Sequence, residues 1–154
     1  MPLYHPATLI ATWFGSGLMP WAPGSWGSLA ALPFAWAIGR LGGAPGLVLA
    51  AAALFLLGWW AADAAIRGSG INDPGAIVVD EVVGQWVTLS VAPVDPIAYG
   101  VGFLLFRLFD VWKPWPASWA DRCVRGGLGI MLDDVFAGIY AASILALGRY
   151  LLGR

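Results

Sequence analysis

Ala76-Ile77-Val78-Val79-Asp80-Glu81-Val82-Val83-Gly84-Gln85-Trp86 sets two adjacent carboxylates inside an otherwise apolar run. A carboxylate near hydrocarbon costs several kcal/mol unless something pairs with it, so the pair marks a functional site by default. The run is bounded by Gly68-Ser69-Gly70-Ile71-Asn72-Asp73-Pro74-Gly75 on one side and Ala92-Pro93-Val94-Asp95-Pro96 on the other. Glycine and proline this dense break a helix. The acids therefore open a helix over 81–92, and a second helix returns over 97–110. The uncharged part of the first, Val82 to Val94, is 13 residues long. As a helix it reaches ~20 Å, against a hydrocarbon core of about 30 Å. The two form a short hairpin, supplemented by flanking residues or a locally thin bilayer.

Composition points the same way. Of 154 residues, 60% are hydrophobic and 11% charged, against about 25% charged in a typical soluble domain. Mean hydropathy is +0.77. The length suits one domain, 1–154, of the membrane class; the competing reading is an unusually apolar soluble bundle. A net charge of −1 gives no nucleic-acid footprint. One cysteine, Cys123, excludes an internal disulfide, and one histidine, His5, excludes His-rich metal sites. No signal peptide is expected, because the first charged side chain is Arg40.

The remaining segments read as helices between breakers. Residues 7–14 form an interfacial helix. The loop 15–28 ends in an N-cap, Ser25 or Ser28. A short helix covers 29–38 and a turn covers 39–46. A transmembrane helix starts at Leu47, with Trp59 and Trp60 near its end, and Asp63 pairs with Arg67 four residues on. Residues 117–125 lie at the surface, and Gly126-Gly127-Leu128-Gly129 precedes a last helix, 130–147. If 29–38 with 47–66 and 81–92 with 97–110 are hairpins, every motif loop falls on one side. That side holds Arg67, Arg107, Lys113, Arg122 and Arg125, and Arg40, Arg149 and Arg154 lie opposite. The bias of basic residues makes the motif side cytoplasmic.

Asp73, Asp80, Glu81, Asp110, Asp133 and Asp134 share that side. Carboxylates converging without His or Cys select a hard cation, Mg²⁺ or Mn²⁺. Arg107, Lys113, Arg122 and Arg125 suit a phosphate. The Gly/Ser loop, with Gly24 and Ser25, adds backbone N–H donors. Metal, anion pocket and membrane together suggest a phosphorylated lipid. Structural readings stand beside these. Either acidic pair serves a helix dipole, Arg107 and Asp110 form an ion pair at three-residue spacing, and the loop is turn geometry. Cys123 is inert, and the ten tryptophans are interfacial or core residues.

Several phosphatase chemistries are excluded. Five residues after Cys123 a cysteine phosphatase needs Arg, and Gly129 stands there. No Asp-x-Asp serves a haloacid-dehalogenase-type mechanism, and His5 alone cannot serve a histidine-dependent phosphatidate phosphatase. Metal-activated water remains, ahead of an aspartyl-phosphate. The rival from another class is a small ion-coupled transporter or assembly factor using its carboxylates.

Four ordered blocks carry a family resemblance. They are Gly15-Ser16-Gly17 with Ala22-Pro23-Gly24-Ser25-Trp26-Gly27-Ser28; Ile77 to Trp86; Phe106-Arg107-Leu108-Phe109-Asp110-Val111-Trp112-Lys113-Pro114-Trp115-Pro116; and Gly126 to Asp134. Together they resemble the phosphatidylglycerophosphatase A family. The resemblance implies an all-α bundle of about five to six helices, a central one surrounded by others. It also implies a Mg²⁺-dependent, multi-pass enzyme of the bacterial inner membrane, cleaving phosphatidylglycerophosphate to phosphatidylglycerol and phosphate on the cytoplasmic side. On this reading Asp80, Glu81, Asp110 and Asp134 bind Mg²⁺. Asp133 is a further ligand or supports one, and Glu81 or Asp133 is the general base. Arg107, Lys113 and Arg125 hold the phosphate, with Gly24 and Ser25 contributing. The partners are phospholipid and membrane, with no nucleic acid and the oligomeric state left open.

Overall fold

Pro23 fixes where the first long helix begins. Proline has no N–H to lose at the first helical position and its φ is preset for the helix. In a computed structural model, which describes residues 4–68 and 74–153, α2 runs Pro23–Gly68. Before it lie α1 (Pro6–Ala11) and a 3-10 turn, Ser16–Leu18; after it come a 3-10 turn, Pro74–Ala76, and α3 (Val79–Leu89). The chain ends with α4 (Pro96–Trp112), α5 (Ala117–Cys123) and α6 (Gly126–Leu152). Among the described residues there are six α-helices and no strand. Asp73 and Arg154 lie outside the described residues.

α2 folds back at Gly43, whose φ of 64° and ψ of −159° leave the helical region. A Cβ on Gly27 would stand 2.7 Å from Val78 Cβ, and one on Gly58 would stand 3.2 Å from Val79 Cγ1. Both arms therefore meet the start of α3, whereas along one straight helix positions 27 and 58 would be ~46 Å apart. This is the expected hairpin, with a one-residue break in place of the eight-residue turn. Ser25 and Ser28 do not cap α2. Pro23 starts it, and Ser28 is fully buried inside it.

α3 is the central helix, with nine of its eleven residues buried, packed against α2, α6 and α4. Trp86 Nε1 donates to Ala31 O at 3.1 Å on α2, and Thr88 Oγ1 donates to Gly138 O at 3.4 Å on α6. The α3–α6 crossing depends on glycine. A Cβ on Gly84 would stand 2.6 Å from Asp134 O, and one on Gly138 would stand 2.5 Å from Gly84 O.

Three further expectations change. α1 ends at Ala11, three residues early, and is docked on the bundle: Ala7 and Ala11 are fully buried, and Val78 N donates to Ala11 O at 2.8 Å. α6 begins at Gly126, four residues early, because its glycines serve close packing. A Cβ on Gly127 would stand 2.8 Å from Trp59 O, and one on Gly129 would stand 2.0 Å from Val124 O. Asp63 accepts from Gly127 N at 2.7 Å, which fixes the start of α6, and Asp63–Arg67 is not among the ion pairs of the described residues.

By length and composition, α2 and α6 could each cross a membrane. Leu49, Leu56, Leu104, Leu108 and Ile144 are exposed on the outside of the bundle.

Candidate active site

The start of α3 brings Asp80 and Glu81 to one end of the bundle, in a first turn whose free N–H groups favour acids. Asp133 and Asp134 lie about two turns into α6, beyond the reach of its N-terminal dipole. A dipole role therefore does not account for the second pair. Asp80, Glu81 and Asp134 each offer an oxygen, and these oxygens lie within 4.8 Å of one another. Among the described residues, Asp80 Oδ1, Glu81 Oε2, Asp133 Oδ1 and Asp134 Oδ2 are buried without a hydrogen-bond partner. Unpaired buried oxygens of like charge are costly, and an oxygen-only set this close fits a hard cation of the Mg²⁺ type. Burial, then the charge of Glu81, pushes the Asp80 carboxyl well above its usual range. Burial also raises Glu81, against the opposing hydrogen bond of Asp80 and the charge of Arg107.

A cavity of about 430 Å³ opens over these acids. Arg107, Asp110, Lys113 and Asp121 line its other side, and Pro23 and Gly24 its rim. Arg107 Nη1 pairs with Asp110 Oδ2, so Asp110 lies outside the three-oxygen group and serves the guanidinium. Lys113 Nζ donates to Asp133 Oδ2 at 2.5 Å and to Asp121 Oδ1 at 3.4 Å. Burial favours losing the Lys113 proton, but the bond to Asp133 and the charges of Asp133, Asp134 and Asp121 outweigh it and raise its pKa. Lys113 is therefore a fixed cation.

Backbone geometry shapes the walls. Lys113 closes α4 with φ of 52°, and Ala22 precedes α2 with φ of 52°. Such left-handed residues other than glycine cost about 1–2 kcal/mol each and concentrate at functional sites. Gly24 is required by space: a Cβ there would stand 2.5 Å from Glu81 Oε1 and 3.1 Å from Arg107 Nη1.

The structure thus brings Asp80, Glu81, Asp110, Asp133, Asp134, Arg107, Lys113 and Gly24 to one cavity. It does not bring Arg125 or Ser25 there. Arg125, the residue before α6, lines a neighbouring hollow with Arg122. Ser25 is half-buried in the first turn of α2, one residue past the rim. Asp121 is the member that sequence reasoning missed. It is an ordinary exposed acid on a short helix, and eight residues from Lys113 was its only signal. Gln85 lies one turn after Glu81, yet neither of its amide atoms has a partner.

A family model described as Phosphatidylglycerophosphatase A matches residues 9–149. The chain belongs to the phosphatidylglycerophosphatase A family. It is 40% identical to "Phosphatidylglycerophosphatase A" of Escherichia coli (strain K12), over 94% of this chain and 84% of that protein. The protein of the same name from Haemophilus influenzae is 38% identical, over 96% of this chain and 91% of its own. A Bacteroides thetaiotaomicron protein named "Putative phosphatidylinositol-3-phosphatase" is 39% identical, over 99% and 98%. No solved structure matches the chain significantly. As a phosphatidylglycerophosphatase A family member, the chain is a phosphatase, and the transporter alternative falls away.

Proposed function

We propose that this enzyme hydrolyses phosphatidylglycerophosphate to phosphatidylglycerol and phosphate, with Mg²⁺ held by Asp80, Glu81 and Asp134. The observation that carries the reading is the meeting of three carboxylates, each offering an oxygen within 4.8 Å of the others, with Arg107 and Lys113 in one cavity. When bound, Mg²⁺ supplies positive charge to the phosphate oxygens and makes water a stronger nucleophile. Arg107, steadied by Asp110, and Lys113 bind phosphate oxygens and stabilise the charge that builds as the ester bond breaks. Asp133 accepts the proton of the attacking water through Oδ1, because Lys113 already holds its Oδ2. The water oxygen bonds to phosphorus, the phosphorus–alkoxide bond breaks, the alkoxide takes a proton from solvent as phosphatidylglycerol leaves, and Asp133 returns its proton to solvent.

In the proposed setting the bundle lies in a bacterial inner membrane with the cavity at the cytoplasmic face. Trp21, Trp112, Trp115 and Trp119 are exposed around the cavity end, as interfacial aromatics are. The lipid's headgroup reaches in beside the short α3 while its chains stay in the bilayer.

A second candidate substrate, phosphatidylinositol 3-phosphate, is raised by the Bacteroides relative named "Putative phosphatidylinositol-3-phosphatase". The test is phosphate release from phosphatidylglycerophosphate, phosphatidylinositol 3-phosphate, phosphatidate and lysophosphatidate, with and without Mg²⁺. Fastest release from phosphatidylglycerophosphate, only with metal, is expected. Faster release from another lipid, or release without metal, would replace this reading.

A further inference from the structure

At the end of the bundle away from the carboxylates, α4 and α6 enclose a groove of about 390 Å³. Ile97, Val101, Leu105, Ile144, Leu145 and Leu152 form its walls. Gly148 lies on it, and a Cβ there would meet nothing within 4 Å, so the groove is open at that position. Two opposite charges, Arg149 and Asp95, line the same groove. Asp95 caps α4 by accepting from Ile97 N at 2.9 Å and Ala98 N at 3.4 Å. Arg149 Nη1 donates to Val91 O, while its buried Nε has no acceptor among the described residues. Neither residue is in an ion pair among the described residues. Arg149 carries its charge beside hydrocarbon with no counter-anion among the described residues, and Asp95, whose two oxygens accept only backbone N–H bonds there, has no counter-cation. One molecule with a long apolar part, a phosphate and an ammonium meets all three demands.

We propose that this groove holds a zwitterionic phospholipid of the opposite leaflet, its acyl chain along the groove, its phosphate on Arg149 and its ammonium toward Asp95. The proposal rests on the membrane placement above. From Ile97 to Leu105 the α4 wall is ~12 Å long, close to one leaflet's ~15 Å of hydrocarbon. Asp95 and Asp110 mark opposite ends of α4, ~22 Å apart, so the lipid is separate from the substrate.

The test titrates dioleoyl phosphatidylethanolamine and dioleoyl phosphatidylglycerol into the full-length protein in mild detergent, with native mass spectrometry counting retained lipid. Wild type should retain one phosphatidylethanolamine in preference to phosphatidylglycerol. Arg149→Gln should weaken retention about tenfold, the scale of one lost charge-assisted hydrogen bond. Gly148→Leu should block the groove. Asp95→Asn keeps the helix cap and should erase the preference between the two lipids. Phosphate release should be unchanged in all three. Equal retention by wild type, Arg149→Gln and Gly148→Leu, which is nonspecific lipid only, overturns the proposal, as does a wild-type preference for phosphatidylglycerol. Wild type that hydrolyses substrate yet retains no lipid sinks the groove alone. Specific retention by a protein without activity supports the groove and leaves the substrate reading to fail by itself.

Discussion

Asp80 has a buried oxygen with no partner and three acidic neighbours, Glu81, Asp133 and Asp110, that oppose its ionisation. Replacing it should separate folding from function. Asp80→Asn and Asp134→Asn are expected to abolish Mg²⁺-dependent phosphate release. Each should stabilise the metal-free protein by about 1 kcal/mol, since a like charge is removed from a buried cluster. Thermal unfolding in a chelator checks the second effect, and retained turnover in either variant would remove that residue from the site. Gln85 offers a contrast: both amide atoms are buried without partners. Gln85→Leu should therefore leave the melting temperature unchanged or raise it, by about 1 kcal/mol in stability. These acids were legible in the sequence because charge inside an apolar run is an energetic anomaly. Asp121 was not, since an exposed acid is no anomaly, and the Lys113–Asp133 bond joins residues whose proximity depends on how α4 and α6 pack. Lys113 read as a free phosphate cation, and in the structure it also orients Asp133.

The helices themselves were largely legible: the hairpin of α2, the short α3, its return as α4 and a long final helix all follow from breakers and apolar runs. Their ends were not. The glycine cluster at 39–46 read as a turn and the one at 126–129 as a stretch before the last helix, yet most of those residues are helical. At Gly127 and Gly129 the missing side chain makes room for a neighbouring backbone, a requirement fixed by tertiary packing and invisible locally. The α3–α6 crossing makes this testable. Gly138→Ala would place a Cβ 2.5 Å from Gly84 O. It should cost about 1–3 kcal/mol by overpacking, read as a fall in denaturation midpoint. Activity should fall further than stability alone accounts for, because Asp134 lies one turn away and would move relative to Asp80. A variant as stable and as active as wild type would mean that the crossing does not set the carboxylate geometry.

At the scale of the molecule, the bundle concentrates buried acids at one end and leaves its flanks apolar. The charge at that end has a pH signature. Asp80 and Glu81 are raised above their ordinary 3.8 and 4.5. The native state therefore holds protons that the unfolded chain releases, and stability is greatest below those values and falls as pH climbs through the folded-state pKa. Metal-free protein should melt at progressively lower temperature as pH rises above about 4, and Mg²⁺ should restore stability at neutral pH. A metal-free melting temperature that rises over this range would contradict the arrangement. The central claim is that Asp80, Glu81 and Asp134 form one divalent-cation site. The most direct test is Mn²⁺ binding followed by electron paramagnetic resonance, with Mg²⁺ as competitor. Saturable Mn²⁺ binding by wild type, displaced by Mg²⁺ and lost in both Asp80→Asn and Asp134→Asn, is the predicted result; equal binding by wild type and both variants would contradict it.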